Sequence, residues 1–427
     1  MKGVILAAGK GERLEPMNAS RPKHILPIGG SPLIFHTIRA MQKAGITEVI
    51  IVVHHMGDMI ASCVGDGSAL SVKVNYADQG RLGGTGDALR AAAPLIGSDD
   101  FLLIYGDLAF KPYLLVDLIS FWERSGGQGA IGAIRLSDAS EYGAIESIGG
   151  QLVRIMEKPC FPGPGLVNAG MYVLPGRILK YLEATPLSER GEYELTSTIN
   201  IAAENGMVFS IYELRQGSWV DVGRPWNILE ANQMLLSDLV RGRSIRGDVE
   251  EGVQIRGDAL IEEGASVLSG TYIEGPVWIS RGCRVGPSCY LRPYTYLASG
   301  VRVGNGCEIK GSVVMEGTHI GHLSYIGDSV VGKDCNIGAG TITANLRFDG
   351  KNVRVSIRGR LMDTGHRKLG AFLGDGVKTG INVSLYPGVK VGHSSWIGPH
   401  VSVQRDIPPE TVVIPKVEVE FETRPRR

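Results

Sequence analysis

A chain of 427 residues is long enough for two or three domains, each with its own core. Its 44 basic and 44 acidic side chains cancel, which argues against a general nucleic-acid binder despite the basic Arg424-Pro425-Arg426-Arg427 end. No run approaches the roughly 20 apolar residues of a membrane span, and Val4 to Ala8 is too short for a secretory signal.

In chain order, Gly3 to Ala8 predicts a short buried strand and Leu33 to Lys43 a helix. Glu48 to Val53 predicts another strand. Asp87 to Pro94 opens a helix, and Phe101 to Tyr105 is a strand running into Gly106-Asp107. That order describes βαβ units around a largely parallel sheet, with functional groups at the carboxyl ends of its strands. Trp226 to Leu239 predicts a last helix, so a first domain spans 1–240.

Beyond it the pattern changes. An aliphatic residue recurs at every sixth position: Val249, Ile255, Ile261, Val267, Ile273, Ile279, Val285, Leu291, Leu297, Val303 and Ile309. The series resumes at Leu385, Val391, Ile397 and Val403. Neither helix nor alternating strand has this period; a hexapeptide β-helix does, each hexad forming one flat side of a triangular coil. Domain two is therefore expected over 241–411. A basic insertion near 346–372 (Arg354, Arg358, Arg360, Arg367, Lys368) forms a protruding loop or hairpin, and a tail over 412–427 adds an edge strand. Six scattered cysteines (Cys63, Cys160, Cys283, Cys289, Cys307, Cys335) show no CxxC pair or metal spacing, as expected of reduced thiols in a cytoplasmic protein.

The first strand runs into Leu6-Ala7-Ala8-Gly9-Lys10-Gly11-Glu12-Arg13, with Pro22-Lys23 ten residues after the arginine. A glycine turn exposes backbone N–H groups to phosphate oxygens, while Arg13 and Lys23 neutralise a triphosphate. No Gly-Lys-Ser/Thr follows, so this is not a Walker loop. Continued in order by Gln79, Gly84-Thr85, Tyr105-Gly106-Asp107, Tyr142-Gly143, Glu157-Lys158-Pro159, Asn168-Ala169-Gly170 and Trp219-Val220-Asp221-Val222-Gly223, the stretch resembles the sugar-1-phosphate nucleotidyltransferase family. The resemblance implies a Rossmann-like mixed sheet. It also implies nucleotide contacts from Leu6, Ala8, Gly9, Gln79, Gly84 and Thr85, and sugar-phosphate contacts from Gly143, Glu157, Lys158 and Asn168. Asp107 and Asp221 become ligands of Mg²⁺, and Arg13 and Lys23 catalytic cations. A phosphate monoester is already an anionic nucleophile, so positioning and electrostatics carry the reaction without a general base. Gly83 stands where the family usually has leucine, and the Arg13–Lys23 spacing resembles its thymidylyltransferase branch, which leaves UTP and dTTP both open.

Within the coil, Gly321-His322-Leu323-Ser324-Tyr325 and Asn336-Ile337-Gly338-Ala339-Gly340 to Asn345 are dense in polar groups. They resemble the acetyltransferase site of the bifunctional N-acetylglucosamine-1-phosphate uridyltransferase/glucosamine-1-phosphate acetyltransferase family. The resemblance makes His322 the general base towards acetyl-CoA. It makes Arg292, Lys310, Tyr325, Asn336, Asn345 and Lys351 the acetyltransferase substrate contacts, and the coil a left-handed β-helix packed as a homotrimer. Leu346 departs from a sugar-contacting tyrosine. The basic insertion is either a solvated face or a clamp for CoA phosphates. His54, His55, His319 and His366 carry structural readings, His366 as an exposed residue.

The sequence thus predicts a bifunctional enzyme of small-molecule substrates (sugar phosphates, a nucleoside triphosphate and acetyl-CoA), with no nucleic-acid or membrane partner. Two rivals stand beside it: a single-activity nucleotidyltransferase, such as a glucose-1-phosphate thymidylyltransferase, with an inert coil, and a non-enzymatic assembly subunit.

Overall fold

The computed structural model describes residues 1–158 and 163–416. Pro159, Cys160 and the tail from 417 to 427 lie outside the described residues. The chain divides into two units, one of Met1–Leu14 with Ser20–Leu239, the other of Glu15–Ala19 with Val240–Arg427.

The first unit is built on a nine-stranded sheet. Lys73–Asp78, Glu48–Val53, Lys2–Leu6 and Phe101–Tyr105 lie side by side and parallel. Gly165–Leu174 then runs antiparallel to both Phe101–Tyr105 and Ala130–Leu136, and Ser210–Glu213, Gln151–Glu157 and Gly143–Ile148 complete the sheet. The sheet is therefore mixed. The two-residue period of a strand sends Ile5, Val49 and Ile51 into one core, and Val4, Leu6, Ile50 and Val52 into the other. Leu33–Lys43 and Tyr113–Arg124 bury Ile34, Ile38, Leu114 and Leu118 on the first face. Thr85–Ile96 and Leu195–Glu204 bury Leu89, Ala92, Leu195 and Ile199 on the second. Pro225–Leu239 closes the unit.

The second unit consists of three parallel sheets of eight, nine and eight strands, in which most strands pair with the third strand after them. Strands of two or three residues alternate with corners, the arrangement of a parallel β-helix. Ile255, Ile273, Leu291, Ile309 and Ile326 pair successively on one face, pointing inward. Val249 and Ile255 are only half-buried, while the hexad residues from Ile261 to Ile309 are buried. The coil continues beyond Ile309, where strict counting by six ends. Val314, Ile320, Ile326, Val331 and Ile337 continue the buried column. Two steps, Ile309 to Val314 and Ile326 to Val331, have five residues, so Leu297 pairs with Val314 only 17 residues on. Thr343 and Thr379 occupy two further inward positions, both buried.

The basic insertion contains a hairpin, Arg354–Ile357 with Arg360–Asp363. It does not protrude. Val353, Val355 and Ile357 are buried, and a Cβ at Gly388 would stand 2.6 Å from the Arg354 carbonyl oxygen. The alternation seen in the sequence is the mark of a ribbon with one face packed on the coil and its arginines outward. His366 is half-buried rather than exposed. Val412–Val413 pairs with Trp396–Ile397 as an edge strand.

Candidate active sites

In the first unit the chemistry collects where parallel strands end. A Cβ at Gly106 would lie 2.8 Å from the Leu6 carbonyl oxygen, which accepts the Gly106 N–H. Only glycine fits there, and the close approach delivers Asp107 beside the phosphate loop. Leu6 and Ala8 are buried at the base of that loop, and a Cβ at Gly9 would meet open space. Asp107 is ion-paired with Lys23. Burial alone would raise the Asp107 carboxyl, but the adjoining Lys23 ammonium holds it below the usual carboxylate range.

Trp219–Asp221 pairs antiparallel with Leu108–Phe110, which brings Asp221 opposite Leu108 and next to Asp107. Burial, then the Asp107 charge, push Asp221 up to about 6. Two neighbouring half-buried carboxylates, one of them paired with Lys23, suit a divalent cation, since repulsion of like charge is what a cation relieves. Among the described residues no group of three or more His, Cys, Asp or Glu converges on a metal position.

Arg13 Nη1 lies 3.4 Å from Glu141 Oε2, and a Cβ at Gly223 would come within 3.3 Å of the Arg13 guanidinium. Across the cleft, Glu157 accepts from the Thr196 hydroxyl at 2.8 Å and lies 3.6 Å from Arg190. A Cβ at Gly143 would stand 3.2 Å from Glu157 Oε1. Lys158 has a positive φ of 45° and donates its N–H to the Tyr142 carbonyl at 3.0 Å. Burial, then the Arg190 and Arg13 charges, lower its ammonium. Asn168 serves its own strand: Nδ2 donates to the Tyr172 hydroxyl at 2.5 Å and Oδ1 accepts the Gly170 N–H at 3.0 Å.

Gln79 Nε2 donates to the Gly84 carbonyl at 2.9 Å, and the Thr85 hydroxyl accepts the Leu195 N–H at 2.9 Å. Gly83 has a local cause. Its Cβ would fall 2.2 Å from Asp87 Oδ2, a carboxylate clasped by Arg81 at 3.2 Å and Arg90 at 2.8 Å. The leucine that Gly83 replaces would have to displace the Asp87 side chain from these arginines.

In the coil, the sites recur at the spacing of its turns. Arg292 is 2.9 Å from Glu308, and Lys310 Nζ is 2.8 Å from both oxygens of Asp328. Asn345 Nδ2 donates to the Tyr325 hydroxyl at 3.0 Å and to Asp328 at 2.6 Å. These residues form one linked polar cluster. His322 and Asn336 are exposed and line a separate recess of about 310 Å³. The His322 ring packs over Gly304, whose Cβ would stand 3.1 Å from Nδ1. Lys351 is exposed and joined to neither group by its side chain; its N–H donates to Asp349 at 3.1 Å.

Residues 2–238 match the family model described as Nucleotidyl transferase, and residues 273–361 match one described as GMPPB C-terminal domain. A relative from Sulfurisphaera tokodaii, named "Bifunctional sugar-1-phosphate nucleotidylyltransferase/acetyltransferase", is 43% identical over 95% of this chain and 98% of its own length. The chain belongs to the bifunctional sugar-1-phosphate nucleotidyltransferase/acetyltransferase family. Members named "Bifunctional protein GlmU" from Methanocaldococcus jannaschii and Methanococcus maripaludis are 40% and 44% identical, covering 99% and 98% of this chain and the same shares of their own. A solved structure described as a glucose-1-phosphate thymidylyltransferase from Bacillus anthracis, in complex with sucrose, is 29% identical. It covers 57% of this chain and 97% of its own at a TM-score of 0.51. No helix among the described residues is long and apolar enough to cross a membrane.

In this family member the sequence motifs passed over several site residues. Arg190 and Glu194, 2.6 Å apart, flank Glu157. Arg224 lies 3.6 Å from Glu141, the partner of Arg13. Arg190 and Glu194 are far in sequence from the Glu157 they meet, whereas Arg224 directly follows the Trp219–Gly223 motif. Glu308 and Asp328 were accessible in principle: each lies one coil turn, 16 or 18 residues, after the cation it meets.

Proposed function

We propose that the chain is a bifunctional enzyme: it acetylates glucosamine 1-phosphate with acetyl-CoA and couples N-acetylglucosamine 1-phosphate to UTP, or dTTP, giving the nucleotide sugar and pyrophosphate. The observation that carries this reading is the match, through both units, to relatives named as bifunctional, together with one polar constellation in each unit.

In the first unit Arg13 binds the β- and γ-phosphates, Lys23 the reacting phosphates and Lys158 the incoming sugar phosphate. Gln79, Gly84 and Thr85 frame the base. Asp107 and Asp221 would hold Mg²⁺, which would supply neutralisation of charge on the departing pyrophosphate. The sugar phosphate oxygen forms its bond to the α-phosphorus as the bond to pyrophosphate breaks.

In the second unit Arg292 and Lys310 bind the sugar phosphate, while Tyr325, Asn336 and Asn345 orient sugar and acyl group. The amine forms its bond to the acetyl carbon, the thioester C–S bond breaks, and His322 takes the proton released by the amine. The coil is left-handed and associates as a homotrimer, and the enzyme works in the cytoplasm.

The test is thiol release from acetyl-CoA with glucosamine 1-phosphate, for wild type and His322→Ala, beside pyrophosphate release from UTP and from dTTP. Release in wild type that collapses in the variant supports the reading. Absence of thiol release with nucleotidyl transfer intact sinks the acetyltransferase half and leaves the single-activity alternative. That alternative draws on the likeness of the first unit to the thymidylyltransferase structure.

A further inference from the structure

Beside His322 the coil carries a stack of two arginines and a histidine. Arg284 pairs in register with Arg302, and Arg302 with His319, on consecutive turns of one sheet. All three are exposed. Neighbouring strands of a sheet are only about 4.8 Å apart, and like charges directly opposite one another are unfavourable unless something compensates them. At three other cations of the coil the compensation is internal: Glu308 answers Arg292, Asp328 answers Lys310 and Asp406 answers Lys390. Among the described residues Arg284 and Arg302 have no acidic partner.

The same two arginines line the recess of about 310 Å³ that holds His322. Its floor is a column of glycines, Gly286, Gly304 and Gly321, each following an inward aliphatic residue of consecutive turns. Side chains there would fill the recess and collide: a Cβ at Gly304 meets the His322 N at 3.3 Å, and one at Gly321 meets the Ala339 N at 2.8 Å. Asn305 and Asn336 add neutral polar groups at its rim. A concave, polar, cationic site of this kind suits an oxyanion, and guanidinium forks are the side chains best matched to phosphate.

We infer that this recess is a phosphate-binding site in which Arg284 and Arg302 grip a phosphate of an acetyl-transfer substrate beside His322. It deepens the acetyltransferase reading and rests on it for the substrate. The phosphate belongs either to the nucleotide end of acetyl-CoA or, in place of the assignment to Arg292 and Lys310 above, to the sugar 1-phosphate. Arg292 and Lys310, already neutralised by their carboxylates, leave the uncompensated positive charge at Arg284 and Arg302.

The experiment titrates the full-length protein by calorimetry with adenosine 3′,5′-bisphosphate and, separately, with glucosamine 1-phosphate. Wild type is compared with Arg284→Gln/Arg302→Gln at low and high salt. The double variant is expected to bind one of the probes at least tenfold more weakly, with a shallower salt dependence, while pyrophosphate release at the first unit is unchanged. Weakening confined to the bisphosphate assigns the acyl donor, and weakening confined to the sugar phosphate assigns the acceptor. Equal binding by wild type and variant, or binding of neither probe to wild type, overturns the site. Should the variant melt early, Arg284→Lys/Arg302→Lys replaces it and is expected to lose part of the affinity while keeping the fold; unchanged affinity there counts against guanidinium recognition. Binding is read without turnover, so a protein that grips phosphate but releases no thiol would separate this inference from the acetyltransferase reading.

Discussion

The two units assemble charge in opposite ways. In the first, Arg13, Lys23, Asp107, Lys158 and Asp221 come from five separate stretches, and burial and mutual proximity shift Asp107, Lys158 and Asp221 from their ordinary ionisation. In the second, Arg292, Lys310 and Asp328 are spaced by turns of one coil and form pairs that satisfy themselves at 2.8 to 2.9 Å. The first arrangement suits a reaction between anions, where strong fields must be held in place by a rigid sheet. The second suits a neutral base acting on an amine, with charge needed only to anchor the substrate. A field made by convergence should also be more fragile to single changes than one made by repetition.

That contrast can be broken or sharpened. The largest effect is expected from Asp107→Asn, which leaves Lys23 without its partner. Nucleotidyl transfer should fall by about 10³-fold, as for loss of a major electrostatic contact. Thiol release should persist; parallel loss of both activities would mean that the units do not work independently. Next, His322→Ala should reduce thiol release by roughly 10²- to 10⁴-fold, the span for a general base, with pyrophosphate release unaltered. A pH-rate profile that survives the substitution would remove His322 from that role.

Smaller effects concern stability. Ile309→Ala deletes a fully buried column residue, flanked in register by Leu291 and Ile326. Chemical denaturation should show a loss of about 2–5 kcal/mol in the coil transition. Val249→Ala, half-buried at the coil's start, should cost well under half as much. Equal losses would deny that the coil grows more cohesive inward.

Last, burial lowers His36 to about 4, its Nε2 hydrogen donated to the Ile28 carbonyl at 2.8 Å, whereas His319 and His322 of the coil are exposed. A depressed histidine favours the fold above its unfolded value of 6.5. Stability falls as pH drops from there toward 4, because the unfolded chain takes up the proton first. His36 should account for roughly 1 kcal/mol per pH unit across that window, beside a similar share from His24, which burial lowers to about 3. His36→Gln should flatten this slope, and an unchanged slope would assign the acid sensitivity elsewhere.

Much of this was legible before any coordinates. Leu33–Lys43, Glu48–Val53 and Phe101–Tyr105 form over the predicted spans, because each carries an unbroken apolar period bounded by glycine, proline or charge. The hexad announced the coil for the same reason: inward positions repeat wherever turns stack. Counting failed where two turns drop one residue, and where Thr343 and Thr379 replace aliphatics while remaining buried. The antiparallel half of the first sheet was not visible as a sheet, since pairing between Gly165–Leu174 and Phe101–Tyr105 leaves no local period.

By itself, then, the sequence determined the kinds of element, the two-unit division of chemistry and the motif residues, all of which depend on neighbours along the chain. Tertiary structure alone decided which of those residues meet. It drew Lys23 onto Asp107, brought Arg190 to Glu157, and parted His322 and Asn336 from the cluster around Lys310. It also made Gly83 a necessity of the Asp87 cluster and left Arg284 over Arg302 without a counter-charge. The reason is one of range. Backbone periods act over a few residues, whereas Coulomb forces and exclusion of atoms act between whatever the folded chain brings within a few ångströms.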